Sequence, residues 1–133
     1  MGKLKYFGVY FTPILALISF YSTGIYAYAG MIVLYLFIPL LENQIPKDSY
    51  NLNKTEKALA KSDWFYDVVL YMLVPVHLFL IYVFLHTISN PEITNTELIA
   101  YVLMMGTVLG VNGINGGHEL GHKIGEPFKL FMA

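Results

Sequence analysis

The stretch VVLYMLVPVHLFLIYVFLHTI, residues 68–88, decides the fold class of this chain. It contains no lysine, arginine, aspartate or glutamate, and it matches the roughly 20 apolar residues that an α-helix needs to cross a bilayer. The turn-forming residues Ser89, Asn90 and Pro91 then end the run. These residues therefore predict one membrane-spanning helix.

Three further apolar runs surround this helix. The first goes from Tyr6 to Ser22 and the second from Gly24 to Leu41, so residues 22–24 form the break of a predicted tight helical hairpin. The last run follows the Pro91 turn and leads into a histidine motif. We predict an all-α fold, a polytopic transmembrane helical bundle with four spans in residues 1–133.

The overall composition supports a membrane protein. Of the 133 residues 56% are hydrophobic and 13% charged, whereas soluble domains average about 45–50% apolar and about 25% charged residues. A cleavable secretory signal is the competing explanation of the first run, but cleavage after Ala29 would leave a chain that begins inside another apolar run. The net charge of −1 gives no reason to expect a nucleic-acid partner.

The basic residues predict the orientation in the membrane. All of them lie before the first span, between the second and third, or after the fourth: Lys3, Lys5, Lys47, Lys54, Lys57, Lys61, Lys123 and Lys129. Short loops rich in lysine stay in the cytoplasm. We therefore expect a multi-pass protein of the cell inner membrane with both ends of this chain cytoplasmic.

The fourth helix has a recognisable beginning. Thr96 is expected to cap it, and Glu97 suits the positive end of its dipole. The distance from Leu98 to His118 along a helix is about 30 Å, or one hydrocarbon thickness. The histidine motif should therefore lie at the cytoplasmic boundary, where a lipid-dissolved substrate and a soluble partner can both reach it.

The motif NGGHELGHK, residues 115–123, is the strongest functional signal. His118 and His122 are four residues apart, so on a helix both imidazoles can bind one metal ion. At 100° per residue the polar side chains of this region share one sector with them: Asn112, Asn115, Glu119 and Glu126. The glycines fall on the opposite side, which predicts close helix packing there: Gly106, Gly110, Gly113, Gly117, Gly121 and Gly125.

The remaining polar residues of the spans have simpler interpretations. His77, two residues after Pro75, is expected to be a hydrogen-bonded packing histidine, and His86 lies near the opposite membrane surface. Asp63 and Asp67 are expected to be solvated or capping groups, with support of a metal-bound histidine as the alternative. The prolines are expected at kinks or helix ends: Pro13, Pro39 and Pro75.

The chemistry of the histidine motif is compatible with three kinds of protein. The chain has no cysteine, so a metal can be held only by nitrogen or oxygen ligands. H-E-x-x-H is also the zinc metalloprotease signature, in which Glu119 would be the general base of an intramembrane protease. A small metal-binding membrane protein without enzymatic activity is the third reading.

Residues 115–123 resemble the first histidine box of the alkane 1-monooxygenases, membrane relatives of the fatty acid desaturases. Other segments resemble the same family, namely Ile38-Pro39-Leu40-Leu41-Glu42, Trp64-Phe65-Tyr66 and Val74-Pro75-Val76-His77. The family more often has aspartate at the position of Glu42 and threonine at that of Gly116, so the match is not complete.

This resemblance implies an alkane 1-monooxygenase-like oxidoreductase with two non-haem irons. Such an enzyme hydroxylates the terminal methyl group of an alkane from the lipid phase, using O2 and electrons from rubredoxin and rubredoxin reductase. The resemblance implies that His118 and His122 are iron ligands and that Glu119 orients one of them. It also implies that the other histidine boxes lie downstream, so residues 1–133 would be an N-terminal part, truncated after the first box and inactive alone.

Overall fold

The computed structural model describes residues 3–44 and 64–114, and within these residues all regular structure is helical. Helix α1, residues 3–20, begins as a 3-10 helix over Lys3–Tyr10 and continues as an α-helix over Phe11–Phe20. The other helices are α2 (Gly24–Glu42), α3 (Trp64–Ile88) and α4 (Asn95–Gly113). The predicted all-α class is confirmed.

Three of these helices are long and apolar enough to cross a membrane. Their most apolar windows have mean hydropathies of 1.9 for α2, 2.5 for α3 and 1.3 for α4. The apolar part of α1 is shorter and covers Phe7–Phe20. Because a 3-10 helix rises about 2.0 Å and an α-helix about 1.5 Å per residue, the whole of α1 is about 31 Å long. The structure thus confirms a membrane bundle, and the count of four spans stays a prediction that depends on α1.

Both predicted turns are present and lie at the same end of the bundle, which we call the turn end. Helix α1 ends at Phe20, and Gly24 has a φ of +59°, a left-handed conformation that favours glycine. At the second turn α3 ends at Ile88. The Tyr101 hydroxyl of α4 donates a 2.7 Å hydrogen bond to the Ser22 carbonyl and so joins α4 to the first turn.

The hairpin of α1 and α2 is tight because of Gly30. Its N–H donates a 3.2 Å hydrogen bond to the Ser19 hydroxyl of α1. A Cβ atom at Gly30 would lie 2.7 Å from Ser19 Oγ, 2.8 Å from Met104 Sδ and 3.0 Å from the Leu15 carbonyl. Glycine at this position therefore lets α1, α2 and α4 approach one another closely.

The main core lies where α1, α2, α3 and α4 meet. Phe20 is at its centre and packs its ring against Phe84 of α3 and Tyr101 of α4, with centroid separations of 5.7 and 6.0 Å. The buried core residues are Leu15, Ala16, Phe20, Ala27, Leu80, Val83, Ala100, Tyr101, Met104, Met105 and Val108.

Two of the three predicted prolines, Pro13 and Pro39, lie just after a change of helix type. Pro13 follows the change from 3-10 to α geometry in α1, and Pro39 follows a π turn over Val33–Phe37 in α2. Pro75 lies inside α3. Each proline lacks an N–H donor, so the regular hydrogen-bond ladder cannot pass through it.

The predicted cap of α4 was placed two residues too late. The N-cap is Thr94, whose hydroxyl accepts from the Glu97 N–H, while the Glu97 carboxylate accepts from the Thr94 N–H. This reciprocal pair is a capping box, which needs threonine and glutamate three residues apart. Thr96 is one residue before Glu97 and cannot form it. The predicted place of Glu97 in the first turn is confirmed.

Among the described residues, the glycines of α4 do not show the close packing that the sequence predicts. Gly106, Gly110 and Gly113 are exposed, and a Cβ atom on any of them would meet nothing within 4 Å. The buried side chains lie on the opposite face: Glu97, Ala100, Tyr101, Met104, Met105, Val108 and Asn112. Here α4 packs with its larger side chains, whereas Gly117, Gly121 and Gly125 lie outside the described residues.

Candidate metal centre

The predicted metal ligands His118 and His122 lie outside the described residues, as do the predicted orienting residue Glu119 and its polar neighbours Asn115 and Glu126. Asp63 and the side chain of Asp67 also lie outside them. The structure instead describes the helix that leads into the motif, through Ile114.

The last described turn of α4 is not α-helical. Residues Leu109–Gly113 form a π turn, which closes hydrogen bonds between residues five apart. Such a turn advances by less than 100° per residue, and because His118 lies outside the described residues the predicted sector that joins it to Asn112 stays a prediction. Single π turns within α-helices are frequent at functional sites.

Asn112 lies in this π turn and reaches across to α1. Its side chain is only 8% exposed, and its Nδ2 donates a 2.6 Å hydrogen bond to the Val9 carbonyl. The sequence pattern places Asn112 with the predicted metal-site residues and gives no sign of this contact. No local signal in the sequence indicates this contact, because it joins residues 103 positions apart in the chain.

The same end of the bundle is held by contacts between α1 and α3. The Tyr10 hydroxyl donates a 2.7 Å hydrogen bond to the Val69 carbonyl. Phe7 packs edge-on against Phe65, with ring centroids 5.8 Å apart. Together with the Asn112 contact, these interactions join α1, α3 and the π turn of α4 at the end of the bundle opposite the turns.

One of the two ring nitrogens of His77 is hydrogen-bonded, as the sequence predicts for a packing histidine, and the other is not. Its Nδ1 lies 2.7 Å from the Leu73 carbonyl, so Nδ1 carries the hydrogen and donates it. Among the described side chains, its Nε2 is the buried polar atom that has no hydrogen-bond partner. Within the described ranges, no three histidine, cysteine, aspartate or glutamate side chains are grouped closely enough to hold a metal ion.

His86 lies at the turn end, as predicted, and is exposed. It borders an open depression of about 490 Å³ between the two turns, together with Phe20, Tyr21, Thr23 and Tyr101. Its ring contacts Tyr82 at a centroid distance of 6.3 Å. This position gives no sign of metal binding.

The fold and the motif define a class of protein: a membrane-embedded helical bundle whose last described helix leads into a histidine motif. The chain is similar to alkane 1-monooxygenases over nearly all of its length. It is 32% identical over 124 residues, 92% of the chain, to alkane 1-monooxygenase 1 of Alcanivorax borkumensis. It is 30% identical over its whole length to alkane 1-monooxygenase of Pseudomonas putida, and 30% identical over 92% of its length to that of Ectopseudomonas oleovorans.

The similarity covers only part of those enzymes. The chain spans about a third of their length, between 30% and 34%. No family model matches the chain, and no solved structure matches it. The resemblance of the histidine motif to alkane 1-monooxygenases is thus supported by sequence similarity along the chain.

Proposed function

We propose that this chain is part of a membrane-bound monooxygenase that hydroxylates the terminal methyl group of alkanes. The observation that carries the proposal is the 30–32% identity to alkane 1-monooxygenases over 92–100% of the chain. The apolar helices support it, because an alkane dissolves in the bilayer and can approach a membrane-embedded enzyme directly.

In this proposal His118 and His122 each bind iron in a non-haem centre of two irons. The donor set fits: imidazole nitrogen suits iron, and a chain without cysteine offers no thiolate for a zinc–sulfur or cluster site. The other ligands would come from outside these 133 residues. Bound iron would supply the activation of O2, and Glu119 would hold a ligating imidazole in the orientation that binding requires.

The proposed partners are those that the resemblance to alkane 1-monooxygenases implies. The alkane would arrive from the lipid, and electrons would arrive from rubredoxin and its reductase in the cytosol. We propose an inner-membrane protein with the lysine-bearing segments cytoplasmic. Reporter fusions after Asn53 and at Thr94 test this: the first should report the cytoplasm and the second the opposite side, and the reverse result would refute the orientation.

Substitution of the motif in the full-length enzyme tests the proposed function. His118→Ala and His122→Ala should each abolish alkane-dependent oxygen uptake and lower the bound iron, because water replaces a lost imidazole ligand poorly. His86→Ala is the matched control, since His86 lies exposed at the turn end, and it should leave both measurements nearly intact. Full activity and iron in His118→Ala would refute the assignment.

A second substitution separates the oxygenase from the intramembrane protease. Glu119→Gln removes the carboxylate that a zinc protease needs as its general base, whereas an oxygenase should keep its iron and part of its turnover. Two irons per full-length chain with alkane-dependent oxygen uptake are expected. Stoichiometric zinc, with peptide cleavage that disappears in Glu119→Gln, would refute the proposed function.

A further inference from the structure

The open depression at the turn end lies between the ends of α1 and α3 and the first turns of α4. Its volume is about 490 Å³, within the roughly 300–1,000 Å³ of sites that bind small molecules. Phe20 and Tyr101 form its floor, and their rings are 6.0 Å apart. Both residues belong to the packed core, so the floor is aromatic and fixed in place.

The rim of the depression offers neutral hydrogen-bond donors. Thr23 and Thr87 contribute hydroxyl groups, and Asn90 contributes an amide. The Asn90 Oδ1 accepts from the Glu92 N–H at 3.1 Å, so the NH2 group of the same side chain remains a donor. Hydroxyl and amide groups of this kind can donate to the oxygens of a phosphate group.

The charges around the depression favour a cation. The segments that form the turn end, residues 20–28 and 84–98, contain two glutamates, one histidine and no lysine or arginine. Glu92 is exposed and follows Asn90 of the rim by two residues. Tyr21 lines the depression and is 77% exposed, so its ring is available for a cation–π contact. The depression thus suits a ligand that carries both an ammonium and a phosphate group.

The depression lies at a membrane surface. Helices α2, α3 and α4 are long and apolar enough to cross a bilayer, and each begins or ends at the turn end. Exposed tyrosines at this end are typical of the level of the lipid head groups: Tyr21, Tyr26 and Tyr82. The exposed side chains of Ile18 and Leu85 lie just before the rim residues of α1 and α3 and offer apolar surface to acyl chains.

We propose that the depression binds the head group of a zwitterionic phospholipid. The ammonium group contacts the Tyr21 ring on the side of Glu92, and Thr87 and Asn90 donate to the phosphate. An anionic phospholipid lacks the ammonium group and brings a net negative charge toward the glutamates. The site is independent of the proposed iron centre, because it lies at the end of the bundle opposite Asn112.

Lipid titration of the full-length enzyme in a maltoside detergent tests the proposal. Phosphatidylethanolamine should raise Tm until the site is saturated, because a ligand that binds only the folded protein stabilises it. Phosphatidylglycerol at the same concentration should raise Tm much less. Tyr21→Ala should weaken the binding of phosphatidylethanolamine, measured by native mass spectrometry, by about tenfold.

Tyr26→Ala is the matched control. Tyr26 is 73% exposed at the same end of the bundle but does not line the depression, so its substitution should leave binding unchanged. Asn90→Asp keeps the oxygen that accepts from the Glu92 N–H but replaces the donor by a negative charge, and it should also weaken binding. Glu92→Gln should narrow the difference between the two lipids while leaving Tm without lipid unchanged.

Two results would overturn the proposal. If phosphatidylglycerol raises Tm as much as phosphatidylethanolamine, the ammonium group is not recognised. If Tyr21→Ala and Tyr26→Ala weaken binding equally, the tyrosines act only as general anchors at the membrane surface and the depression is not the site.

Discussion

The two faces of α4 differ in a way that reverses the expectation from their sequence. The face with large side chains is packed inside the bundle, whereas Gly106, Gly110 and Gly113 face open space. Close approach to α4 comes instead from Gly30 of α2, where an added Cβ would lie 2.8 Å from Met104 Sδ. Within the described residues, the series of glycines thus does not mark the packed face of α4.

The packed face also shows how a membrane bundle accommodates polar groups. Glu97 at one end accepts hydrogen bonds from Gly24 and Thr94, and Asn112 at the other end donates to Val9. Between them the face is apolar apart from the Tyr101 hydroxyl, which donates to the Ser22 carbonyl. Each buried polar group here is matched to a partner on a neighbouring segment, as a low-dielectric environment requires.

The largest effect should come from adding one methyl group to the packed glycine. Gly30→Ala forces its Cβ against Ser19, Met104 and the Leu15 backbone, and overpacking of this kind costs typically about 1–3 kcal/mol. Gly106→Ala is the matched control: it has free space, and alanine is favoured over glycine in a helix by about 1 kcal/mol. Thermal unfolding in detergent should show a lower Tm for Gly30→Ala and an unchanged or higher Tm for Gly106→Ala.

The opposite order would refute the assignment of the two faces. If Gly106→Ala lowered Tm while Gly30→Ala did not, the glycine face of α4 would be the packed one in the assembled protein, as its sequence suggests.

A smaller loss of stability is expected at the turn end from Glu97→Gln. The Glu97 carboxylate accepts from the Gly24 N–H at 2.6 Å and from the Thr94 N–H and hydroxyl at 2.9 and 2.8 Å. Glutamine has a single acceptor oxygen, and its NH2 group would face another donor, so one of the two helices loses its partner. Tm should fall, and proteolysis within the Ser22–Gly24 turn should become faster.

Glu92→Gln provides the control for that experiment. Glu92 lies in the same turn region but is exposed, so the same change of charge should have little effect on Tm. Equal losses in Glu97→Gln and Glu92→Gln would show that surface charge matters here and that the bridging hydrogen bonds do not.

The helices and turns could be predicted because their signals are local. Apolar runs define α2, α3 and α4, and Ser22–Gly24 and Ser89–Pro91 interrupt them with turn-forming residues. The N-cap of α4 could also be predicted from the sequence, because Thr94 and Glu97 have the spacing of a capping box. Thr96 also precedes Glu97, but at one residue's distance it cannot form the reciprocal pair.

The packing of α4 could not be predicted in this way. The predicted faces of α4 follow from a regular rotation of 100° per residue. No residue in Leu109–Gly113 indicates that a π turn interrupts this rotation. The Asn112 contact is made to a carbonyl 103 positions earlier in the chain, so predicting it requires knowing which helices are neighbours. His118, His122 and Glu119 are inferred from motif and resemblance, and their metal-binding role stays a prediction.

The smallest change in Tm is expected from substituting the two threonines at the start of α4. Thr94→Ala removes the N-cap hydroxyl that accepts from the Glu97 N–H, and loss of such a cap costs about 1 kcal/mol. Thr96→Ala should be nearly neutral, because the Tyr28 hydroxyl binds the backbone carbonyl of Thr96, which alanine retains. Thr94→Ser keeps a hydroxyl and should recover most of the loss in Tm. A larger drop for Thr96→Ala than for Thr94→Ala would move the start of α4 to the residue that the sequence first suggested.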